Sequence, residues 1–266
     1  MTIMPHYDDE IRDARFPDGT TSHSTRLPNS GDQVAGYLPS PLPEGEGDKG
    51  RAAMKMQGLK QVLRQRIISE RGQLPAALRT QFSVEIVRRI VQLPQYQSAR
   101  AVLGYMNFGA EFESELWVRQ ALADGKTLLL PKVDRAANRL DVYRVTEVDT
   151  QLAPGAYGIR EPVPERCVAA KPEDADFILL PGVAFGRDGA RLGYGGGFYD
   201  RLLMKLAAIR LSPQADESLL MAKLQHRPAL VAGAYAMQLV ADIPQEPTDR
   251  KVEWLVTENE TLHCAA

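Results

Sequence analysis

The sequence predicts an α/β fold, in which a three-layer Rossmann-like sheet carries helices on both faces of a single domain. Short apolar runs alternate with stretches of helical periodicity from about residue 53 to 260, which is the order typical of a mainly parallel sheet covered by helices. A glycine-rich loop also follows the most apolar run and precedes a helical segment. This kind of connection is common where such sheets bind anions.

The first half of the domain begins with two helices. Apolar residues at helical spacing predict a helix over residues 55–71, with Leu59, Val62, Leu63 and Ile67 as its apolar stripe. A second helical run covers 75–93. A strand is predicted over 99–106, and a helix over 113–125 that ends at Gly125.

The second half supplies most of the strands. Residues 126–133 predict a buried strand, 139–145 a more exposed one with alternating character, and 176–185 the most apolar one. A helix is predicted to begin near Phe198. Residues 230–240 and 251–257 predict the closing strands of the sheet.

Three segments lie outside this pattern. Residues 1–52 are rich in Pro, Gly, Ser and acidic residues, a composition that predicts a disordered N-terminal tail. Met54 and Met56 leave open a later translation start. Residues 53–260 are predicted to form the α/β domain, with a helical insertion at 209–227. Residues 261–266 are predicted to form a C-terminal tail.

Composition limits the classes of function. The formal net charge of -2 does not suggest a nucleic-acid-binding protein, which usually has a strong basic excess. Two cysteines and four scattered histidines show no metal-ligand spacing. No run approaches the length of a membrane helix, and the N-terminus lacks a signal-peptide pattern. We therefore expect a cytoplasmic protein with small-molecule partners, no nucleic acid and no membrane, and a monomer because no exposed apolar stripe stands out.

The segment LLPGVAFGRDGARLGYGGGFYDRLL, residues 179–203, carries the clearest chemical signal. Gly193 and the triplet Gly195–Gly197 precede a predicted helix, and backbone N–H groups in such a loop bind anions. Arg191 and Arg201 flank the loop, and Asp200 could hold a cation that bridges phosphate oxygens. The alternative is a tight connection whose glycines serve packing alone. The dinucleotide and Walker fingerprints both fail here, so any nucleotide site is of another type.

Other charged residues have two interpretations each. Lys60 and Arg64 lie one helical turn apart and could grip a polyphosphate, or could belong to a solvated face. Glu111, Glu113 and Glu115 surround the start of a helix, where they could act as caps or could face a pocket. Asp249 precedes the last predicted strand, where a ligand site and an ordinary turn are both common.

Five segments in order resemble the 5-formyltetrahydrofolate cyclo-ligase family. They are the Lys60–Arg64 pair, YMNFGAEFESE (105–115), YGIREP (157–162), PGVAFGRDGARLGYGGGFYDR (181–201) and DRKVEWLVTE (249–258). The resemblance covers nearly everything from residue 55 to 260. It implies a Rossmann-type fold, ATP as co-substrate, Mg²⁺ as cofactor and a reduced folate as substrate.

The resemblance also implies roles, position by position. Glu113 would hydrogen-bond the pterin, Arg191 and Tyr199 would be catalytic, and Asp200 and Asp249 would hold magnesium. The residues implied to bind ATP are Lys60, Arg64, Arg191, Leu192, Gly193, Tyr194, Gly195, Gly196, Gly197, Phe198 and Tyr199. Those implied to bind the folate are Phe108, Glu113, Tyr194, Gly195, Gly196, Gly197 and Phe198.

Departures from the family pattern affect the charges. Some relatives have basic residues in the glycine loop where this chain has Tyr194 and Gly196, so the positive charge must come from Lys60, Arg64, Arg191 or Lys132.

The implied reaction has the formyl oxygen attack the γ-phosphate of ATP, and the resulting imidate phosphate then closes to 5,10-methenyltetrahydrofolate. The alternatives are a phosphosugar isomerase or CoA transferase, which would not need ATP, and a relative that binds the ligands without turnover.

Overall fold

The structure is a computed structural model that describes residues 44–155, 158–210 and 227–264. The helices are α1 (Glu44–Gly72), α2 (Ala76–Val91), α3 (Pro94–Ser98), α4 (Ser114–Ala123), α5 (Val148–Gln151) and α6 (Phe198–Arg210). The strands are β1 (Ala101–Leu103), β2 (Thr127–Asp134), β3 (Arg139–Val145), β4 (Leu152–Pro154), β5 (Arg160–Pro162), β6 (Val168–Ala170), β7 (Phe177–Leu179), β8 (Ala184–Gly186), β9 (Arg191–Leu192), β10 (Ala229–Gly233), β11 (Leu239–Val240), β12 (Trp254–Val256) and β13 (Thr261–His263). The described residues from 45 onward belong to one compact unit.

A large mixed sheet forms the middle layer, in the order β13-β12-β10-β7-β1-β2-β3-β6. The five strands from β12 to β2 run parallel, and antiparallel strands complete both edges. The central strands carry Val, Ile, Leu and Phe almost without interruption, as expected for strands covered on both faces. The predicted α/β fold is confirmed.

Alternating side chains of the central strands fill two separate apolar clusters. Val102 belongs to the cluster that includes residues of α2, α3 and α4, whereas the adjacent Leu103 belongs to the cluster that includes residues of α6. Phe177 and Ile178 divide in the same way. This period of two places helices on both faces of the sheet.

A smaller sheet, β11-β8-β9, supports the glycine loop and corrects one prediction. The strand predicted over 176–185 is two strands in two sheets, because Pro181 and Gly182 interrupt the ladder and residues 180–183 carry the chain from one sheet to the other. The predicted strand 230–240 is likewise divided, with a short 3-10 turn at Ala236–Gln238 between β10 and β11. Ile67 of α1 packs on this smaller sheet.

The structure also moves some predicted boundaries. Helix α1 begins at Glu44, inside the segment predicted as a tail. Once a helix has formed, each added residue gains one hydrogen bond while only that residue loses conformational freedom, so the helix extends readily. Residues 261–263, predicted as a tail, form strand β13 and pair antiparallel with β12. The remaining tail, 1–43, and residues 211–226 of the predicted insertion lie outside the described residues. None of the described helices is both long and apolar enough to cross a membrane.

Candidate active site

The candidate site lies at the carboxyl ends of three central parallel strands, where ligands gather in folds of this kind. The segment 104–112 follows β1, Pro181 follows β7, and Tyr235 follows β10. One contact joins two of these segments directly: the Tyr235 hydroxyl donates to the Glu111 carbonyl at 3.0 Å. Arg191 of β9 reaches the same edge, where its Nη1 donates to the Pro181 carbonyl at 3.1 Å. Residues distant in sequence therefore meet at one edge of the sheet.

The glycine loop connects β9 to helix α6 and requires its glycines. Gly195 and Gly197 have φ angles of 102° and 65°, which side-chain-bearing residues rarely adopt. A Cβ on Gly197 would lie 2.7 Å from Arg201 Nη1. The loop therefore leaves its backbone open at the N-terminus of α6, in the arrangement that favours a phosphate.

One face of α1 is turned toward this loop, and it coincides only in part with the predicted apolar stripe. Lys60, Arg64, Ile67 and Arg71 recur at spacings of four, three and four residues, and Lys60, Ile67 and Arg71 are buried. Leu59 and Val62 are exposed instead. The predicted stripe was wrong at these two positions, because α1 buries the side of the helix that carries its cations.

Arg64 attaches helix α1 directly to the glycine loop. Its Nε donates to the Gly193 carbonyl at 2.7 Å, and its guanidinium carbon lies 3.6 Å from the position of a Cβ on Gly195. Burial lowers the pKa of Arg64, while the charges of Asp249 and Glu246 oppose that shift. An arginine keeps its charge in proteins, so Arg64 brings a fixed cation to the loop.

Lys60 is held by two carboxylates. Its Nζ lies 2.6 Å from Asp249 Oδ2 and 2.8 Å from Glu246 Oε2, and the residue is only 3% exposed. Burial opposes the charge of this lysine, but the hydrogen bonds to Asp249 and Glu246 outweigh it and raise the pKa of Lys60. Lys60 therefore fixes the position of Asp249.

Asp200 is held in an analogous way by Arg191. Arg191 Nη2 lies 2.5 Å from Asp200 Oδ1, and the backbone N–H of Arg250, the neighbour of Asp249, donates to the same oxygen at 3.4 Å. The two aspartates predicted to hold magnesium are thus brought to the same region. Among the described residues no cluster of three or more acidic, histidine or cysteine side chains could hold a metal ion by itself.

Glu111 and Glu113, two residues apart, have different surroundings. Glu113 accepts a hydrogen bond from the Thr80 hydroxyl at 2.8 Å at the protein surface. Glu111 is 5% exposed, and its Oε2 accepts from the Phe108 N–H at 2.7 Å. Burial raises the pKa of Glu111, against the effects of the Tyr194 hydroxyl, the Arg71 charge and the Phe108 N–H. Glu111 is therefore the carboxylate that faces the glycine loop.

Tyr194 joins Glu111 to helix α1. Arg71 Nη2 donates to the Tyr194 hydroxyl oxygen at 2.7 Å, and the Tyr194 hydroxyl interacts in turn with the Glu111 carboxylate. Burial and the Glu111 charge also raise the pKa of Tyr199 and of the buried Tyr105. These phenols stay protonated at neutral pH, so they can donate hydrogen bonds.

The other end of the loop contacts different groups. The Arg201 guanidinium lies 5.0 Å from the centre of the Phe198 ring and donates to the Gly196 carbonyl at 2.7 Å. Phe198 and Arg201 border a cavity of about 1140 Å³ between α6, β3 and residues 170–176. The Leu192 side chain is buried in an apolar cluster, so only its backbone is available to a ligand.

Two residues that the sequence analysis singled out, Lys132 and Phe108, do not take part in the side-chain contacts described above. Lys132 Nζ lies 3.6 Å from Glu161 Oε2 and pairs with that carboxylate. Phe108 is 45% exposed, although its backbone binds Glu111, so its ring is free to stack on a ligand.

Sequence reasoning did not single out Arg71, and the resemblance assigned the pterin contact to Glu113, although Glu111 is the carboxylate beside the loop. The signal for Arg71 was its spacing from Lys60, Arg64 and Ile67, which continues one helical face by another turn. No comparable signal separated the two glutamates, because their burial depends on how residues 104–113 turn after β1.

The chain resembles known proteins over most of its length. Residues 56–258 match the model of the 5-formyltetrahydrofolate cyclo-ligase family. A probable 5-formyltetrahydrofolate cyclo-ligase of Schizosaccharomyces pombe is 26% identical over 205 residues, 76% of this chain and 97% of the relative. The 5-formyltetrahydrofolate cyclo-ligase of Mus musculus is 26% identical over 217 residues, 78% of this chain and 98% of the relative.

Solved structures agree with this family. The 5,10-methenyltetrahydrofolate synthetase of Aquifex aeolicus is 31% identical and superposes with a TM-score of 0.63, covering 78% of this chain and 94% of the other. The synthetase of Mycoplasma pneumoniae, at 19% identity and a TM-score of 0.54, shares the fold. The matched motifs, the sheet and the relatives together place this chain in the 5-formyltetrahydrofolate cyclo-ligase family.

Proposed function

We propose that this chain closes 5-formyltetrahydrofolate to 5,10-methenyltetrahydrofolate, with ATP and Mg²⁺, and releases ADP and phosphate. The observation that carries the proposal is the position of the glycine loop. It lies between a fixed cation, Arg64, and a buried carboxylate, Glu111, which it reaches through Tyr194. A phosphate donor and an amide-rich heterocycle can therefore meet across one loop.

The triphosphate would bind at the loop and the N-terminus of α6. Backbone N–H groups of residues 193–197 and the helix dipole favour anionic oxygens there. Arg64 and Arg191 add charge on one side and Arg201 on the other. Lys60 supports this site through Asp249 rather than by direct contact with the loop.

Asp200 and Asp249 would hold the magnesium ion that accompanies the nucleotide. Mg²⁺ is usually bound by one or two carboxylates together with substrate phosphates and water, so two aspartates beside a phosphate loop are a sufficient donor set. Each has one oxygen paired with a cation, Arg191 or Lys60, and a second oxygen for the metal. The ion would neutralise charge on the phosphate oxygens.

The folate would lie on the other side of the loop. Glu111 can accept hydrogen bonds from the N–H groups of the pterin. We assign this role to Glu111 and not to Glu113, because Glu113 already accepts a hydrogen bond from the Thr80 hydroxyl. The exposed ring of Phe108 can stack on the ligand. Burial of Glu111 strengthens its hydrogen bonds, because the local dielectric is low.

The chemistry needs orientation and charge more than a nucleophile from the protein. The formyl oxygen attacks the γ-phosphorus of ATP, and ADP leaves. The N10 amine then attacks the formyl carbon of the imidate phosphate, the C–O bond breaks, phosphate leaves with the former formyl oxygen, and N10 loses its proton. Holding the two substrates in line could supply about 7–11 kcal/mol of the barrier reduction. Arg191 and the protonated Tyr199 would stabilise charge on the transferring group.

The proposal is tested by mixing the purified full chain with 5-formyltetrahydrofolate, ATP and Mg²⁺. Methenyltetrahydrofolate absorbs in the near ultraviolet, so its formation and the release of ADP can be followed together. We expect one ADP for each methenyl product, and no product when ATP or Mg²⁺ is omitted. Binding of both substrates without ADP release would instead support a relative that binds and does not turn over.

A further inference from the structure

Arg71 is a buried cation whose hydrogen-bonding capacity is largely unused. It lies at the end of α1 and is 2% exposed. Its Nη2 donates to the Tyr194 hydroxyl, but Nε and Nη1 have no hydrogen-bond partner within the described part of the chain. Buried donors in native proteins are nearly always paired, and a guanidinium cannot lose its charge to escape the cost.

The surroundings of Arg71 form a short row of donors and acceptors beside the glycine loop. The guanidinium binds Tyr194 of the loop, and Tyr194 interacts with the buried Glu111 carboxylate. No carboxylate oxygen among the described residues is within ion-pair distance of Arg71. The row therefore has buried N–H donors without partners at one end and a buried carboxylate at the other.

Such a row matches the edge of a cyclic amide. The pterin of the proposed substrate presents a carbonyl oxygen at C4, then N3–H, then the amino group at C2. If Glu111 accepts from the two nitrogen donors, the carbonyl oxygen is the group that remains for a donor. We propose that Arg71 donates one of its two unpaired groups, Nε–H or Nη1–H, to the 4-oxo oxygen of the folate and so helps to select this ring.

This inference rests on the proposed function and extends it to one atom of the substrate. C4 is bonded to the ring carbon that bears N5, the nitrogen that carries the formyl group. A contact at the 4-oxo oxygen therefore fixes the rotation of the ring and presents the formyl group to the loop. Tyr194 holds the Arg71 guanidinium in place for this contact.

The test compares two ligands on three forms of the full chain. The ligands are 5-formyltetrahydrofolate and its 4-amino-4-deoxy counterpart, which has a donor in place of the carbonyl oxygen. The proteins are wild type, Arg71→Met and Arg71→Lys, and the affinities are measured by calorimetry without ATP. We expect Arg71→Met to weaken binding of the 4-oxo ligand about 10- to 100-fold and binding of the 4-amino ligand less than about threefold.

The ratio of the two affinities separates recognition from structure. If Arg71 only supports the fold, Arg71→Met weakens both ligands equally and the ratio stays at its wild-type value, which overturns the inference. If Arg71→Met does not fold, Arg71→Lys, which keeps the charge, takes its place in the comparison. Loss of the guanidinium N–H donors should still reduce the ratio of affinities several-fold. Arg66→Met, an exposed arginine on the same helix, is the matched control and should leave the ratio unchanged.

The outcome for wild type distinguishes this inference from the proposed function. Wild type that forms methenyl product with ATP, while Arg71→Met leaves the ligand ratio unchanged, disproves the role of Arg71 alone. Wild type that binds neither folate and forms no product disproves both.

Discussion

Arg64 Nε and the Gly193 carbonyl oxygen lie 2.7 Å apart, and this hydrogen bond joins helix α1 to the glycine loop. The two residues are far apart in sequence, yet the contact sets a fixed cation beside the backbone that is proposed to hold phosphate. It also explains why α1 buries its polar side, since Lys60 and Arg71 share that face. The candidate phosphate site is therefore built from two segments, α1 and the glycine loop, and not from the glycine motif alone.

The first prediction concerns Arg64. Replacing Arg64 with alanine should raise the KM for ATP about 10- to 100-fold, because a charge-assisted contact to phosphate and the tie to Gly193 are both lost. Arg66→Ala is the control, since its side chain is exposed and pairs only loosely with Glu70. Equal KM values for the two variants in steady-state assays would contradict the phosphate role of Arg64.

The second prediction concerns Asp200 and magnesium. Asp200→Asn should lower kcat about 100-fold at saturating ATP, and excess Mg²⁺ should recover part of the loss. Asp149→Asn removes an exposed carboxylate that also pairs with an arginine, Arg119, and it should keep near-normal turnover. An Asp200→Asn enzyme with wild-type rates across a magnesium titration would show that the metal is held elsewhere.

The third prediction separates the two glutamates. Glu111→Gln should lower kcat/KM for 5-formyltetrahydrofolate about 10- to 100-fold, because a buried acceptor of ligand hydrogen bonds is weakened. Glu113→Gln should lower kcat/KM less than about threefold, since Glu113 accepts a hydrogen bond from Thr80 at the surface. The opposite order of effects would restore the role that the sequence resemblance gives to Glu113.

The fourth prediction is a pH dependence of stability. Burial raises the pKa of Glu111 in the folded protein above its ordinary value of 4.5, so the folded state keeps a proton that the unfolded chain releases. Above pH 4.5 the free energy of unfolding of wild type should therefore fall, relative to that of Glu111→Gln, until the raised pKa is passed. Urea unfolding of both proteins from pH 4 to 8 measures this difference, and parallel curves would show that Glu111 is not perturbed.

The fifth prediction uses two glycines with positive φ. Gly195 (φ 102°) lies in the loop, and Gly125 (φ 72°) follows helix α4. Alanine at either position should lower the free energy of unfolding by about 1–2 kcal/mol, the cost of the left-handed region. Only Gly195→Ala should also reduce turnover. A similar loss of activity in Gly125→Ala, measured on folded protein, would mean that stability alone limits the rate.

The pattern of apolar residues and glycines in the sequence was sufficient to predict the α/β sheet and the position of the glycine loop. The apolar runs of β2 and β7, and the helical periodicity of α2 and α4, are local signals that burial on both faces of a sheet makes strong. The glycine triplet likewise predicts an open backbone before α6, because glycine alone adopts these φ angles without strain.

The details that the sequence could not supply depend on tertiary packing. Which of Glu111 and Glu113 is buried is decided by the path of the chain after β1. The polar face of α1 is buried because its cations contact groups more than 100 residues away, in the glycine loop and at Asp249. The division of 176–185 between two sheets follows from Pro181 and Gly182, which the apolar pattern conceals. Each of these features involves a partner remote in sequence.

The most direct test of the proposed chemistry follows the formyl oxygen. 5-Formyltetrahydrofolate labelled with ¹⁸O in the formyl group is converted with unlabelled ATP and Mg²⁺, and the released phosphate is analysed by mass spectrometry. Attack of the formyl oxygen on the γ-phosphorus predicts one ¹⁸O atom in each phosphate. Unlabelled phosphate, with the label in water, would contradict phosphorylation of the formyl group as the step that drives ring closure.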